Sequence, residues 1–312
     1  MQPTLLGKSS WQARFLRYMK SHWVFYLFLL PALLDVFIFK YMPMYGIQIA
    51  FRNFKIKQGF LGSEWTGFKY FIQFIEAPNF VELIGNTILL SLYTIIFTFP
   101  VPIILAFMIN EIRNLRLKKT AQMLTYMPHF ISMVAVAGLI SLFLDRESGI
   151  VNIIIKAMGG EQVAFLGMSS AFRPIYVISE IWQHSGWNSI IYLSALAAVD
   201  MESIEAARID GANRIQKIMY IDVPTILPTI IILLIMRVGT VLNVGFEKVY
   251  LLQNDLNRDV SEVISTYTYR LGILGGQFSL TTAIGLFNNI INAIVLLLVN
   301  GISRKVSDTS LF

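Results

Sequence analysis

Long apolar runs separated by short polar breaks recur along the chain. Six of them, 22–41, 84–109, 120–144, 173–199, 225–250 and 279–302, are long enough to cross a bilayer, since about 30 Å of hydrocarbon takes roughly 20 helical residues. Backbone groups find no water in lipid, so each run is predicted to be helical. The first, from Trp23 to Phe39, exceeds a signal-peptide core and has no small-residue cleavage site after it, so it reads as an uncleaved span. Between runs three and four, Ile150, Val151, Ile153, Ile154 and Ile155 precede Gly159-Gly160 and predict an interfacial helix too brief to cross. The interval Tyr41 to Leu83 carries Trp65 among Gly59, Gly62 and Gly67, which suits an aromatic belt at the membrane surface, with a lining or docking role as the alternative. No repeat or soluble domain interrupts the pattern, giving an N-terminal arm, 1–21, and one transmembrane domain, 22–312.

Composition agrees. Of 312 residues 55% are hydrophobic and 14% charged, against about 25% charged in soluble domains. Mean hydropathy is +0.63. The net charge of +6 could suggest nucleic acid, but the cations sit in clusters beside apolar runs. Lys8, Arg14, Arg17 and Lys20 precede the first run, and Arg113, Arg116, Lys118 and Lys119 follow the second. Arg208, Arg214 and Lys217 lie between the fourth and fifth, and Arg304 with Lys305 follows the last. Placing these intervals inside satisfies the positive-inside rule and puts both termini in the cytoplasm. The absence of cysteine excludes disulfides and thiolate chemistry.

Hydrolytic chemistry finds little support. Gly7-Lys8-Ser9 ends like a phosphate-binding loop, but the required earlier glycine is Gln2. His22, His129 and His184 are far apart and in no metal-binding spacing. No metal site or nucleotide site is expected in this chain, so any energy source must be a partner. Polar residues inside the runs are more informative, because such residues in lipid face a bundle interior or a wet cavity. Glu180, Gln183, His184, Trp187 and Asn188 fall on one helical face of run four. Run five carries Arg237, Thr240, Asn243 and Glu247, and run six Asn288, Asn289 and Asn292. Singly these suit interhelical hydrogen bonds. Together, amides, carboxylates, an arginine and an indole suit a hydroxyl-rich solute, although an ion-driven carrier would use some of the same groups.

The interval 200–224 is the longest polar stretch of the second half. Ser203 to Asp210 reads as a short helix, with Ser203 as N-cap, Glu205 in its first turn and Gly211 ending it. A second short helix, Ala212 to Ile221, leads to Pro224, which can open run five, with Pro228 a turn inside. On these residues a solvated hairpin and a docking knob are equally good readings.

Glu205-Ala206-Ala207, three residues, Gly211, nine residues, then Ile221-Asp222-Val223-Pro224 resembles the E-A-A…G…I-x-L-P signature of permease subunits of binding-protein-dependent ABC importers, with Val for Leu. The resemblance extends through all six runs and is strongest to the maltose-permease-like sugar branch, in particular permeases for oligosaccharides from complex polysaccharides. Lys40-Tyr41-Met42-Pro43-Met44-Tyr45-Gly46, Gly62-Ser63-Glu64-Trp65, Tyr126-Met127-Pro128-His129 and Gly186-Trp187-Asn188-Ser189-Ile190-Ile191-Tyr192-Leu193 carry it. It implies an all-α, six-helix transmembrane domain of a type I importer in a bacterial cytoplasmic membrane. The implied partners are a second homologous permease, two ATPases that use ATP and Mg²⁺, an extracytoplasmic binding protein and a carbohydrate. Glu205, Ala206, Ala207, Asp210, Gly211, Ala212, Arg214 and Pro224 would form the ATPase-coupling element. The expected solute is an oligosaccharide, with Arg237 the one hint that it is acidic, although pairing with Glu247 or Glu180 would explain that cation equally well. The competing classes are a self-sufficient carrier or channel and, more remotely, an intramembrane enzyme.

Overall fold

The computed structural model describes residue 11 and residues 18–306, so Lys8, Arg14 and Arg17, the Gly7-Lys8-Ser9 triplet and most of the 1–21 arm lie outside the described residues. Helices occupy all six apolar runs, but not all as single rods. Among the described residues, four are long and apolar enough to cross a membrane: α1, Trp23–Phe51, then Phe80–Asn110, Arg214–Val238 and Phe278–Lys305.

After α1 the chain forms a two-stranded hairpin, β1 (Arg52–Asn53) antiparallel to β2 (Glu64–Trp65), then helix α2, Lys69–Ile75. The interval expected as a surface belt is a knot of aromatics. Phe51 stacks on Trp65 at 5.6 Å and meets Phe68 edge-on at 5.5 Å. The Phe54 amide donates to Ser279 Oγ at 2.9 Å, which ties the knot to the last helix. Within α1, residues Trp23–Val36 bury nothing against this chain, and Phe28 is 79% exposed.

Helix α3, Phe80–Asn110, bends at Phe99, where Pro100 and Pro102 withhold two backbone donors. The third run, expected as one span over 120–144, is two helices, α4 (Leu115–Phe130) and α5 (Met133–Leu144), bent by 97°. Pro128 weakens the first, and Ser132 caps the second by accepting from the Ala135 amide. The predicted interfacial helix is present as α6, Ile150–Ala157.

Helix α7, Ser169–Leu196, has 28 residues and is the pillar of the bundle. It packs on α3 and α4, and its Gly186 sits against the backbone of Thr125. Gly186 thus permits a close crossing of α7 with α4. Leu90, Tyr176, Val249 and Val263 belong to an apolar cluster around one half of α7, and Ala106, Tyr192, Leu196 and Ile226 to one around the other.

The polar interval begins with α8, Met201–Ile209, capped by Asp200 rather than the predicted Ser203. Both side chains are good caps, but Asp200 accepts from the Glu202 and Ser203 amides at 3.2 Å each and from the Ser203 hydroxyl at 2.9 Å. These bonds, the hydroxyl's foremost, hold its carboxyl below the usual carboxylate range. The cap's contribution is therefore present above the unfolded carboxylate value and lost as pH falls toward the lower folded one. Asp200→Ala is expected to speed amide exchange at Glu202 and Ser203 while Asp200→Asn largely preserves protection; equal exchange in Asp200→Ala and wild type would refute the cap.

Gly211, at φ +78°, ends α8, with the Ala212 amide returning to the Ala207 carbonyl at 2.9 Å. The predicted second short helix is instead the start of a long one, α9, Arg214–Val238, which carries Pro224 and Pro228 inside it. It stays continuous because Ile218–Asp222 is a π-helical turn, in which the Val223 amide reaches the Ile218 carbonyl and the missing Pro224 donor is absorbed. The fifth run, expected to reach residue 250, stops at Val238, where Gly239 and Gly245 bracket a turn before α10, Phe246–Leu252. The last helix, α11, is Phe278–Val306.

Candidate solute pathway and coupling element

Two cavities are stacked along α7. One, of about 290 Å³, lies among Ser91 and Thr94 of α3, Tyr176 and Glu180 of α7, and the segment from Arg237 to Lys248. The other, of about 390 Å³, is walled by Thr98 and Pro102 of α3, Glu180, His184, Asn188 and Tyr192 of α7, and Leu233 and Arg237 of α9. Glu180 and Arg237 line both, so they stand where one cavity gives way to the next. In the orientation expected from the basic residues, with 200–224 inside, the first cavity is the outer one and the second the inner. Phe99, where the two halves of α3 meet, lines the second cavity, and the segment after the end of α9 at Val238 lines the first.

The charges at this level are unequal in their pairing. Glu180 Oε2 accepts from Lys248 Nζ at 2.7 Å, and its other oxygen lies 3.7 Å from His184 Nε2. Lys248 is only 2% exposed, and its ammonium lies 5.5 Å from the Tyr176 ring. Arg237 is exposed to both cavities and makes no ion pair within 4 Å among the described residues. Since Lys248 neutralises Glu180, Arg237 is the uncompensated charge of the inner cavity. Glu247 faces the outer cavity only.

The predicted polar stripes divide. Glu180, His184, Asn188, Arg237, Thr240, Asn243 and Glu247 line a cavity. Gln183 does not: it is 2% exposed and donates to the Ile131 carbonyl at 3.1 Å, holding α7 to the α4–α5 bend. Trp187 lines neither cavity, and one face of its indole is covered by His129, which lies flat on it with centroids 4.6 Å apart. Nδ1 of His129 lies 3.1 Å from Nδ1 of His184. Asn288 donates to Asn243 Oδ1 at 2.9 Å, and Asn292 accepts from the Leu242 amide at 3.0 Å, so the α11 asparagines pin the turn after α9. Asn289 is exposed and lines neither cavity.

Sequence reasoning missed Lys248, although a cation inside a predicted span was visible. It also missed Thr87, Ser91, Thr94 and Thr98, whose helical spacing runs along α3 and brings Ser91, Thr94 and Thr98 to the cavity walls.

At the other end of α7, α8 projects with Glu205, Ala206 and Asp210 exposed and Ile209 86% exposed. Its inner side packs Ile204 onto the Tyr192–Leu196–Ile226 cluster. Ala207, Ala212 and Arg214 border a small cavity of about 190 Å³ against Glu111 and Arg113 at the end of α3. Pro224 is exposed on α9. Glu205 to Ala212 thus share one protruding element, whereas Arg214 and Pro224 belong to α9.

Comparison with known proteins supplies the context for this geometry. Residues 84–308 match the family described as binding-protein-dependent transport system inner membrane component. Protein LplB of Bacillus subtilis (strain 168) is 43% identical over 303 residues, covering 97% of this chain and 94% of that protein. The polygalacturonan/rhamnogalacturonan transport system permease protein YteP of the same organism is 42% identical, covering 92% of this chain and 89% of its own. Among solved structures, a chain of a bacterial alginate ABC transporter in complex with alginate pentasaccharide-bound periplasmic protein superposes with a TM-score of 0.87 at 39% identity, over 96% of this chain and 100% of that one.

Proposed function

This chain belongs to the family of binding-protein-dependent transport system inner membrane components, and from that premise we propose that it passes acidic oligosaccharides through the two cavities beside α7. It is the permease subunit of a sugar ABC importer, a multi-pass protein of the cytoplasmic membrane. It is not an enzyme; ATP hydrolysis belongs to a separate subunit. The self-sufficient carrier considered from the sequence is thereby displaced. An extracytoplasmic binding protein delivers the solute, as in the related alginate importer. A second, homologous permease completes the pathway. Two ATPases that use ATP and Mg²⁺ drive alternating access, one of them seating on α8 of this chain through Glu205 to Gly211.

Arg237 carries the choice of an acidic solute. A guanidinium that makes no ion pair among the described residues and is open to both cavities favours a carboxylate on the solute by charge-assisted bidentate bonding. Asn188, His184 and Thr98 offer hydroxyl partners beside it. Relatives named for polygalacturonan/rhamnogalacturonan and alginate point to the same solute chemistry.

The test is uptake into proteoliposomes holding the whole importer, comparing a uronic-acid oligosaccharide with its carboxyl-reduced neutral counterpart. Arg237→Gln is expected to reduce uptake of the acidic form about 10- to 100-fold, as loss of a hydrogen bond to a charged group implies. Preference of the wild type for the neutral form would overturn the reading.

A further inference from the structure

Lys217, which the solute pathway and the coupling signature both leave unused, sits at the centre of a charged cluster. Its Nζ is bonded to Glu111 Oε1, just past the end of α3, and lies 3.3 Å from Asp222 Oδ2 within α9. The Asp222 side chain is 1% exposed and that of Lys217 15%. We propose that Lys217 is the positioning residue through which displacement of α8 reaches α3 and α9 together. The proposal rests on α8 being the ATPase contact.

The link from α8 to Lys217 has little slack. The Ala212 amide closes the end of α8, and Asn213 and Gln216 cap each other's backbone amides at 2.8 and 2.9 Å, so a short hydrogen-bonded turn leads from α8 to Lys217 in the first turn of α9. On an α-helix, residues five apart stand about 140° from each other, and Lys217 could not face Asp222. The π-helical turn Ile218–Asp222, with its five-residue hydrogen bond, brings them to one side. The ion pair and the helix register are thus mutually dependent. The helices joined, α3 and α9, contribute Thr98, Pro102, Leu233 and Arg237 to the inner cavity, so moving both together changes its width.

Stability alone does not account for three charges here. Replacing a buried ion pair by apolar groups is often neutral or stabilising, and in some proteins such pairs instead fix geometry, which is the role assigned to this one. Rigid geometry between a driven element and two cavity walls is what transmission requires.

The experiment uses the complete importer in proteoliposomes with its binding protein and a uronic-acid oligosaccharide, recording ATPase retention, ATP hydrolysis and uptake. Lys217→Met is expected to keep the ATPases bound and hydrolysing while ATP spent per solute rises about ten-fold, within the range of coupling between sites. The charge-free variant Glu111→Gln/Lys217→Met/Asp222→Asn leaves no ion unpaired. It is expected to melt like the wild type yet stay uncoupled, and it decides the matter if Lys217→Met alone misfolds. Wild-type ATP per solute in either folded variant overturns the proposal. The underlying reading has its own probe: Ile209→Asp is expected to release the ATPases from α8. ATPases that stay bound to Ile209→Asp would overturn the coupling reading itself, whereas normal coupling in Lys217→Met removes only the role of Lys217.

Discussion

Glu180→Gln is expected to destabilise the bundle more than any other change at the cavities, because it strands the ammonium of Lys248. The Lys248 side chain is 1% exposed, and Glu180 is its only ion-pair partner among the described residues. Removing one member of a buried pair typically costs about 3–5 kcal/mol, whereas replacing both by uncharged groups is often neutral. The Tyr176 ring 5.5 Å away stabilises the cation only modestly, and His184, which approaches Glu180 rather than Lys248, supplies no anion. Glu180→Gln/Lys248→Met should therefore recover most of the lost stability. Thermal unfolding of the detergent-solubilised chain reads the order: wild type close to the double variant, both well above Glu180→Gln. If Glu180→Gln melts with the wild type, Lys248 has another anion and the pairing is not structural. Lys248→Met should be milder, since the freed Glu180 carboxylate is 19% exposed and borders both cavities, where it retains partial hydration.

This pair also marks where sequence reasoning reaches its limit. Apolar runs located helices because lipid leaves no alternative for the backbone. Interruptions were harder. Gly239 and Gly245 signal the break that ends α9, but a hydropathy window averages over two glycines, and the run was read through to residue 250. The opposite error occurred at Pro224, where a helix start was expected and a π-helical turn instead carries α9 across it. Among site residues, Glu180 and Arg237 were legible because each is a charge in an apolar run. Which of them is neutralised was not, since Lys248 reaches Glu180 from an element 68 positions away. The indole of Trp187 shows the same limit: residue type and helical face suit a sugar platform, but only the fold places His129 against it. The stretch from Asp200 to Gly211 was the most legible part of the polar interval, because its turn chemistry is local. Gly211 ends α8 where its positive φ demands, and within α8 only the N-cap moved, from Ser203 to Asp200.

Gly186→Ala is the second large effect, and its cause is a backbone rather than a charge. A Cβ on Gly186 would lie 1.9 Å from the Thr125 carbonyl oxygen and 2.3 Å from its carbon. No rotamer relieves that overlap, so α7 and α4 must separate. Small residues permit such close crossings in membranes, and Ser185 and Ser189, both buried, flank this one. Overpacking a core by one methylene costs about 1–3 kcal/mol, occasionally more, and an obstacle made of backbone puts this site at the upper end. The consequence extends to the pathway, because α4 carries His129 and Phe130 onto Trp187, and His129 contacts His184 on the inner cavity wall. Gly138→Ala in α5 is the control, since nothing lies within 4 Å of its added carbon. Gly186→Ala should lower the melting temperature and quench or shift the Trp187 emission, while Gly138→Ala leaves both unchanged. Matching melts for Gly186→Ala and Gly138→Ala would mean that the crossing is looser than the Thr125 distances require.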